Sequence, residues 1–306
     1  MMIVRFVADA DAGAQVGILE DGQLWSLPGI ATVGQLLHLP KEVLRQRCEG
    51  KRVFICNLED AQLLPPIDAR TEVWAAGVTY QVSQRARMDE SGNSASVYAQ
   101  VYDAERPELF YKSTAWRVVG TGEPIAIRAD SEVDVPEPEL ALVVNLAGEI
   151  VGYTICDDVS SRTIEAENPL YLPQAKVFLG GCAVGPGIRP VWEVADPYAL
   201  GIRMDIKRDE AVVWSGETNT VQLHRRLDDL VSWLFRADAF PDGVVLSTGT
   251  CLVPDLPFTL REGDVVTIDI DEIGRLENDV TRGLGGVNWL VEACNDPTMR
   301  PSRRMT

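Results

Sequence analysis

The stretch VDVPEPELALVV, residues 133–144, constrains this chain more than any other. Leu140, Leu142 and Val143 give it the apolar bulk of a β-strand, yet Glu137 and Glu139 stand two positions apart at its start. Strand side chains alternate between faces, so residues i and i+2 point the same way. Two carboxylates on one face of a buried strand repel each other and resist desolvation. By itself the pair also fits two exposed acids on an edge strand.

The residues after this strand sharpen the choice. A turn at NLAGE returns the backbone as IVGYTICDDVSSR, a hairpin of strand, Gly turn and strand that brings Asp157 or Asp158 back beside the two glutamates. Three carboxylates on neighbouring strands form a hard, all-oxygen cluster suited to Mg²⁺, Mn²⁺ or Ca²⁺ rather than Zn²⁺. Such a cation would neutralise the charges. An octahedral ion with three protein ligands keeps about three positions open for a bidentate substrate and a water.

Composition sets outer bounds. At 306 residues the chain can build a large core and two domains of unequal size. A net charge of −18 and a pI near 4.5 argue against nucleic acid and anionic membrane surfaces as partners. An anionic substrate would then need a local basic group or a metal ion. No apolar run approaches the roughly 20 residues of a membrane span, and MMIVRFVADADAG lacks the features of a signal peptide. The six cysteines are scattered without CxxC spacing and read as reduced thiols, so a cytoplasmic enzyme is expected. There are two histidines, His38 and His224.

Short strands are expected at 2–8, 15–19 and 23–26, then helical spacing over 32–47 interrupted at Pro40. The stiff LLPPIDART connection separates a small N-terminal domain, residues 1–66, from a larger one, residues 67–306. Further strands are expected at 72–80, 117–128, 139–145, 149–156, 201–207, 211–214, 243–248 and 264–270, and an amphipathic helix at 220–236. Residues 81–105 are polar and read as a helix–loop covering a site. Strands dominate without regular βαβ alternation, and no GxGxxG or GxxxxGK[ST] phosphate loop is present.

VPEPELALVV, GYTICDDVSSR, ENPLYLPQAKVF and STGT, in that order, resemble the fumarylacetoacetate hydrolase superfamily over most of residues 65–290. The resemblance implies an α+β, strand-rich fold: a C-terminal mixed β-roll with a small N-terminal α+β domain, assembled as a homodimer or homotetramer. It implies a Mg²⁺ site, open to Mn²⁺ or Ca²⁺, on Glu137, Glu139 and Asp158, with Asp157 facing away and Arg162 supporting the carboxylates. The superfamily holds hydrolases, isomerases, decarboxylases and dehydratases, so fold does not settle chemistry. The hydrolases proper carry a fourth metal carboxylate on the first catalytic strand, where AAGVTY offers only Val78 or Thr79, and a water-activating histidine shortly after, where QVSQRARMDES has none. Hydrolysis therefore lacks its ordinary base.

Glu137 and Asp158 are 21 residues apart and Asp158 and Lys176 are 18 apart. This compact spacing, with RPELFYK, is similar to the subgroup that dehydrates 2-keto-3-deoxy pentonates, small 2-oxo acids, to 2,5-dioxopentanoate. On that resemblance Lys176 and Glu108 carry proton transfer, with Lys176 either the base at C3 or a charged clamp on the substrate. Substrate contacts are expected from Ser83, Arg85, Arg87, Lys112, Glu165 and Thr250. Acylpyruvate hydrolysis, oxaloacetate decarboxylation, a 2-hydroxyhepta-2,4-diene-1,7-dioate isomerase and an inactive metal-binding scaffold are the rival readings.

Overall fold

A computed structural model describes residues 1–8, 13–80 and 100–301. The expected Ser83, Arg85 and Arg87, and residues 81–99 of the covering segment, lie outside the described residues. The N-terminal part forms β1 (Met2–Val7), β2 (Gln15–Glu20), β3 (Gln23–Ser26), β4 (Phe54–Asn57) and β5 (Gln62–Leu64). Helices α1 (Val33–Leu36) and α2 (Lys41–Cys48) break where Pro40 cannot continue a helix.

The rest supplies β6 (Glu72–Gly77), β7 (Glu108–Thr114), β8 (Ile125–Ile127), β9 (Asp134–Val135), β10 (Pro138–Val144), β11 (Ile150–Asp158), β12 (Ser160–Ser161) and β13 (Cys182–Pro190). Then come β14 (Gly201–Arg208), β15 (Ala211–Asn219), β16 (Val244–Ser247), β17 (Val265–Ile270) and β18 (Gly274–Arg282). Among the described residues the largest sheet runs β4-β3-β2-β1-β13-β11-β10-β16-β6-β7, with β5 also paired to β1, and is mixed because β16 and β6 run parallel. A second sheet runs β15-β14-β17-β18-β8.

β10 sits near the middle of the large sheet with both faces buried. Leu140, Leu142 and Val144 pack with Ile202, Ile268 and Leu276 of the second sheet. Ala141 and Val143 point the other way, into a core that includes Val73, Val184 and Leu44. A strand buried on both faces reads as a continuous apolar run, as LALVV does. The exposed-edge reading of the two glutamates is thereby excluded. The large sheet also rolls: β7 lies four strands from β11 along the hydrogen-bonded path, yet the Lys112 ammonium of β7 reaches Asp158 at the end of β11.

Two expected elements come out differently. In place of a helix over 220–236 there is a 3₁₀ turn, Thr220–Gln222, and α-helix only over Leu227–Leu234. The His224 N–H donates to the Thr79 carbonyl at 2.9 Å, and Leu223 forms an isolated antiparallel bridge to Tyr80, so this backbone is held in an extended bridge rather than a helix. The expected strand at 117–128 shrinks to β8. Before it, Val119 exchanges hydrogen bonds with the Cys182–Val184 backbone, and Glu123 turns the chain by accepting the Gly120 N–H. No helix among the described residues is long and apolar enough to cross a membrane.

Candidate active site

Strand pairing aims the acids. In the β10–β11 ladder Glu139 lies opposite Cys156 and Pro138 opposite Asp157, while the Asp158 N–H donates to the Glu137 carbonyl at 3.0 Å. Glu137, Glu139 and Asp158 therefore share one face, and their carboxylate oxygens fall within 4.8 Å of one another. All three are about 2% exposed or less. Asp157 turns to the opposite face, where its Oδ1 accepts the Glu137 N–H at 2.9 Å and burial pushes its carboxyl up to about 7.

The protein surrounds these acids with its own cations. Lys176 ends a short helix, Leu172–Lys176, and its Nζ lies 2.9 Å from Glu137 Oε2, 2.9 Å from Asp158 Oδ2 and 2.5 Å from the Ser160 hydroxyl. Lys112 Nζ lies 2.5 Å from Asp158 Oδ1 and donates to the carbonyls of Val159 and Lys176 at 3.0 and 2.7 Å. Arg162 opens the helix Arg162–Glu167, capped by Ser161, and sets its guanidinium 3.1 Å from Glu137 Oε1 and 3.4 Å from Glu165 Oε2. Among the described residues no such cation is in contact with Glu139. Its Oε2 accepts from the Ser247 hydroxyl at 2.5 Å and the Gly249 N–H at 2.8 Å. Burial, reinforced by Asp158 and Glu137, pushes its carboxyl up to about 8. A divalent cation at this cluster would replace that proton. An all-oxygen donor set of three buried carboxylates fits Mg²⁺ or Mn²⁺.

The cluster forms the floor of a cleft of about 570 Å³ whose walls include Gly77, Val78, Phe110, Arg162, Thr250 and Cys251. Val78 has φ of 54°, a conformation costly for a β-branched residue and concentrated at functional sites. The Thr79 hydroxyl donates away from the cleft, to the Thr248 carbonyl at 2.6 Å. On β7, residues Glu108, Phe110 and Lys112 alternate onto one face. The half-buried Glu108 carboxylate lies directly over Gly77, where any Cβ would collide with it.

Of the expected substrate contacts, Lys112 is 1% exposed, and its ammonium is surrounded by three protein oxygens, beneath the acids rather than in the cleft. Glu165 is buried against Arg162. Thr250 lines the cleft, with its hydroxyl bonded to the backbone of Leu252. Neither histidine reaches the site. His38 Nε2 pairs with Asp242 at 2.9 Å, and the His224 ring, expected on the helix, precedes it and stacks on Tyr102 at 4.3 Å. Sequence reasoning missed Ser160, Ser247, Phe110 and Gly77. Ser160 was within reach of the alternation rule, because it stands two residues past Asp158.

A family model described as fumarylacetoacetate (FAA) hydrolase C-terminal matches residues 72–281. A probable 2-keto-3-deoxyxylonate dehydratase of Haloferax volcanii is 51% identical over 222 residues, 72% of this chain and 76% of that protein. A 2-dehydro-3-deoxy-D-arabinonate dehydratase of Saccharolobus solfataricus is 42% identical, covering 79% of this chain and 83% of its own. Among solved structures, a 2-keto-3-deoxy-D-arabinonate dehydratase complexed with magnesium and 2,5-dioxopentanoate superposes with a TM-score of 0.80 at 37% identity, over 92% of this chain and 99% of that one.

Proposed function

Because the chain belongs to the fumarylacetoacetate hydrolase family, we propose that it is a Mg²⁺-dependent hydro-lyase. It removes water from a 2-keto-3-deoxy pentonate, of the arabinonate/xylonate type, to give 2,5-dioxopentanoate. The observation that carries this reading is a buried trio of carboxylates with a lysine among them and no histidine in the cleft. Glu137, Glu139 and Asp158 would hold a divalent ion, which would supply Lewis acidity toward a 2-oxo acid.

The chain's own residues do the rest. Arg162 holds Glu137 in place and adds positive charge where an anionic substrate enters. Lys176 takes the proton from C3 as a neutral amine, the form left when a cation takes over its two carboxylate partners and its own proton passes to solvent. Glu108, held over Gly77, gives a proton to the departing C4 hydroxyl, so that the C3–H and C4–O bonds break and water leaves. Proton shifts then convert the remaining C5 alcohol to an aldehyde. Thr250 meets the substrate from the opposite wall. Lys112 and Glu165 act from beneath by fixing Asp158 and Arg162.

Purified protein given Mg²⁺ and offered 2-keto-3-deoxy sugar acids, acylpyruvates and oxaloacetate tests the assignment. Turnover of a 3-deoxy pentonate, lost in EDTA and restored by Mg²⁺, is expected. Turnover of acylpyruvates or oxaloacetate alone would overturn the dehydratase reading and leave the metal site standing.

The working form is a cytoplasmic homodimer or homotetramer in which residues 1–66 act as a small accessory domain. The edge strand β15 supports assembly, since its Val212 and Val213 side chains are exposed and its outer hydrogen-bonding edge is unpaired among the described residues. Light scattering should give at least twice the 33.6 kDa of one chain, and a stable monomer would refute assembly.

A further inference from the structure

β7 begins at Glu108, which lies over Gly77 of the cleft wall, and ends at Thr114, roughly 20 Å away at the usual strand rise. Beyond that end a second cavity, of about 410 Å³, opens among Arg5, Asp68, Trp116, Cys294 and Arg300. Both arginines are nine-tenths buried, at 9% and 7% exposure. They differ in how their donors are used. Arg300 donates to Glu123 Oε2 at 2.6 Å and to the Val118 carbonyl at 3.1 Å. Among the described residues Arg5, on β1, has only long contacts: 3.4 Å to Asp68 Oδ2 and 3.5 Å to the Ile67 carbonyl. The Asp68 oxygens are already engaged by the N–H groups of Val33 and Gly34, at 2.9 Å each.

A buried guanidinium whose five N–H donors are so weakly used is unfavourable unless an acceptor reaches it. Burial and the neighbouring charge of Arg300 both push the Arg5 guanidinium below its ordinary range, partly offset by Asp68. An anion in the cavity would relieve both effects, and a planar fork is suited to a carboxylate or phosphate.

We propose that this cavity is a binding site for a small oxyanion, inorganic phosphate or a short carboxylate. Arg5 grips it, Arg300 adds a second positive charge and the Trp116 indole forms one wall. The site joins β1 to the 293–300 segment and shares no residue with the cleft.

Calorimetric titration of the Mg²⁺-loaded full-length protein with inorganic phosphate, and separately with succinate, tests it. Succinate lacks the 2-oxo group that the cleft is proposed to hold. Saturable binding of one or both anions at millimolar concentration is expected, the stronger of the two identifying the ligand class. Arg5→Gln should weaken it at least tenfold. Cys294→Trp, at an exposed position lining the cavity, should block it without altering either arginine, and serves alone if Arg5→Gln does not fold. Glu137→Gln, in the other cleft, should leave it unchanged. No saturable binding by either anion, binding that survives in Cys294→Trp, or binding lost in Glu137→Gln would each overturn the proposal.

Discussion

Lys176→Ala should lower kcat by roughly 10²-fold or more, the usual scale for a positioned acid or base, while Mg²⁺ still binds within a few-fold of the parent. The lost group is an ammonium 2.9 Å from both Glu137 and Asp158, so its removal takes away positive charge beside a cation site and does not oppose metal binding. The metal-free protein should suffer instead. Removing one partner from a buried ion pair typically costs about 3–5 kcal/mol, so the Tm in EDTA should fall and Mg²⁺ should recover more of it than in the parent. Deuterium exchange separates the roles. Without the C3 base, Lys176→Ala should not exchange the substrate's C3 hydrogen with deuterated solvent. Glu108→Gln should still exchange it and fail to expel the C4 hydroxyl. The opposite pattern would swap the two residues, and full turnover in either variant would remove that residue from the mechanism.

Glu139→Gln should abolish Mg²⁺-dependent turnover and at the same time stabilise the metal-free protein. Its carboxyl is pushed up to about 8, first by burial and then by Asp158 and Glu137. The unfolded chain ionises this group near its ordinary value of about 4.3. The folded state therefore binds the extra proton, and stability is lost progressively as pH rises from about 4.3 toward 8. Glutamine keeps an oxygen for the Ser247 hydroxyl and the Gly249 N–H but carries no charge to desolvate. In EDTA the Tm gain of Glu139→Gln should be near zero around pH 4, grow through neutrality and level off near pH 8. A Tm below that of the parent across this range would show that the carboxylate is not held against repulsion. Retained Mg²⁺-dependent activity would remove Glu139 from the metal site. A residue that destabilises the resting fold is a common mark of function.

The chain's sequence determined most of the acid trio. Alternation placed Glu137 and Glu139 on one face and the Gly turn folded the hairpin back, while parity put Asp157 and Asp158 on opposite faces without saying which joins the glutamates, a choice that rested on the family resemblance. These are short-range consequences of strand geometry, and the β10–β11 ladder realises them directly. The scarcity of histidine was equally legible. Tertiary structure decided what makes the trio tolerable. Lys112, Arg162 and Lys176 converge on it from a strand and two short helices, because the sheet rolls until β7 meets the end of β11. It decided that Lys112 works beneath the acids, and that Glu108 stands over Gly77. It also delayed the start of the helix expected over 220–236 until Leu227, since the Thr79 carbonyl captured the His224 N–H across 145 residues. Local periodicity reports which way a side chain points. Which charges meet depends on closure of the sheet, an outcome of packing between segments far apart in the chain.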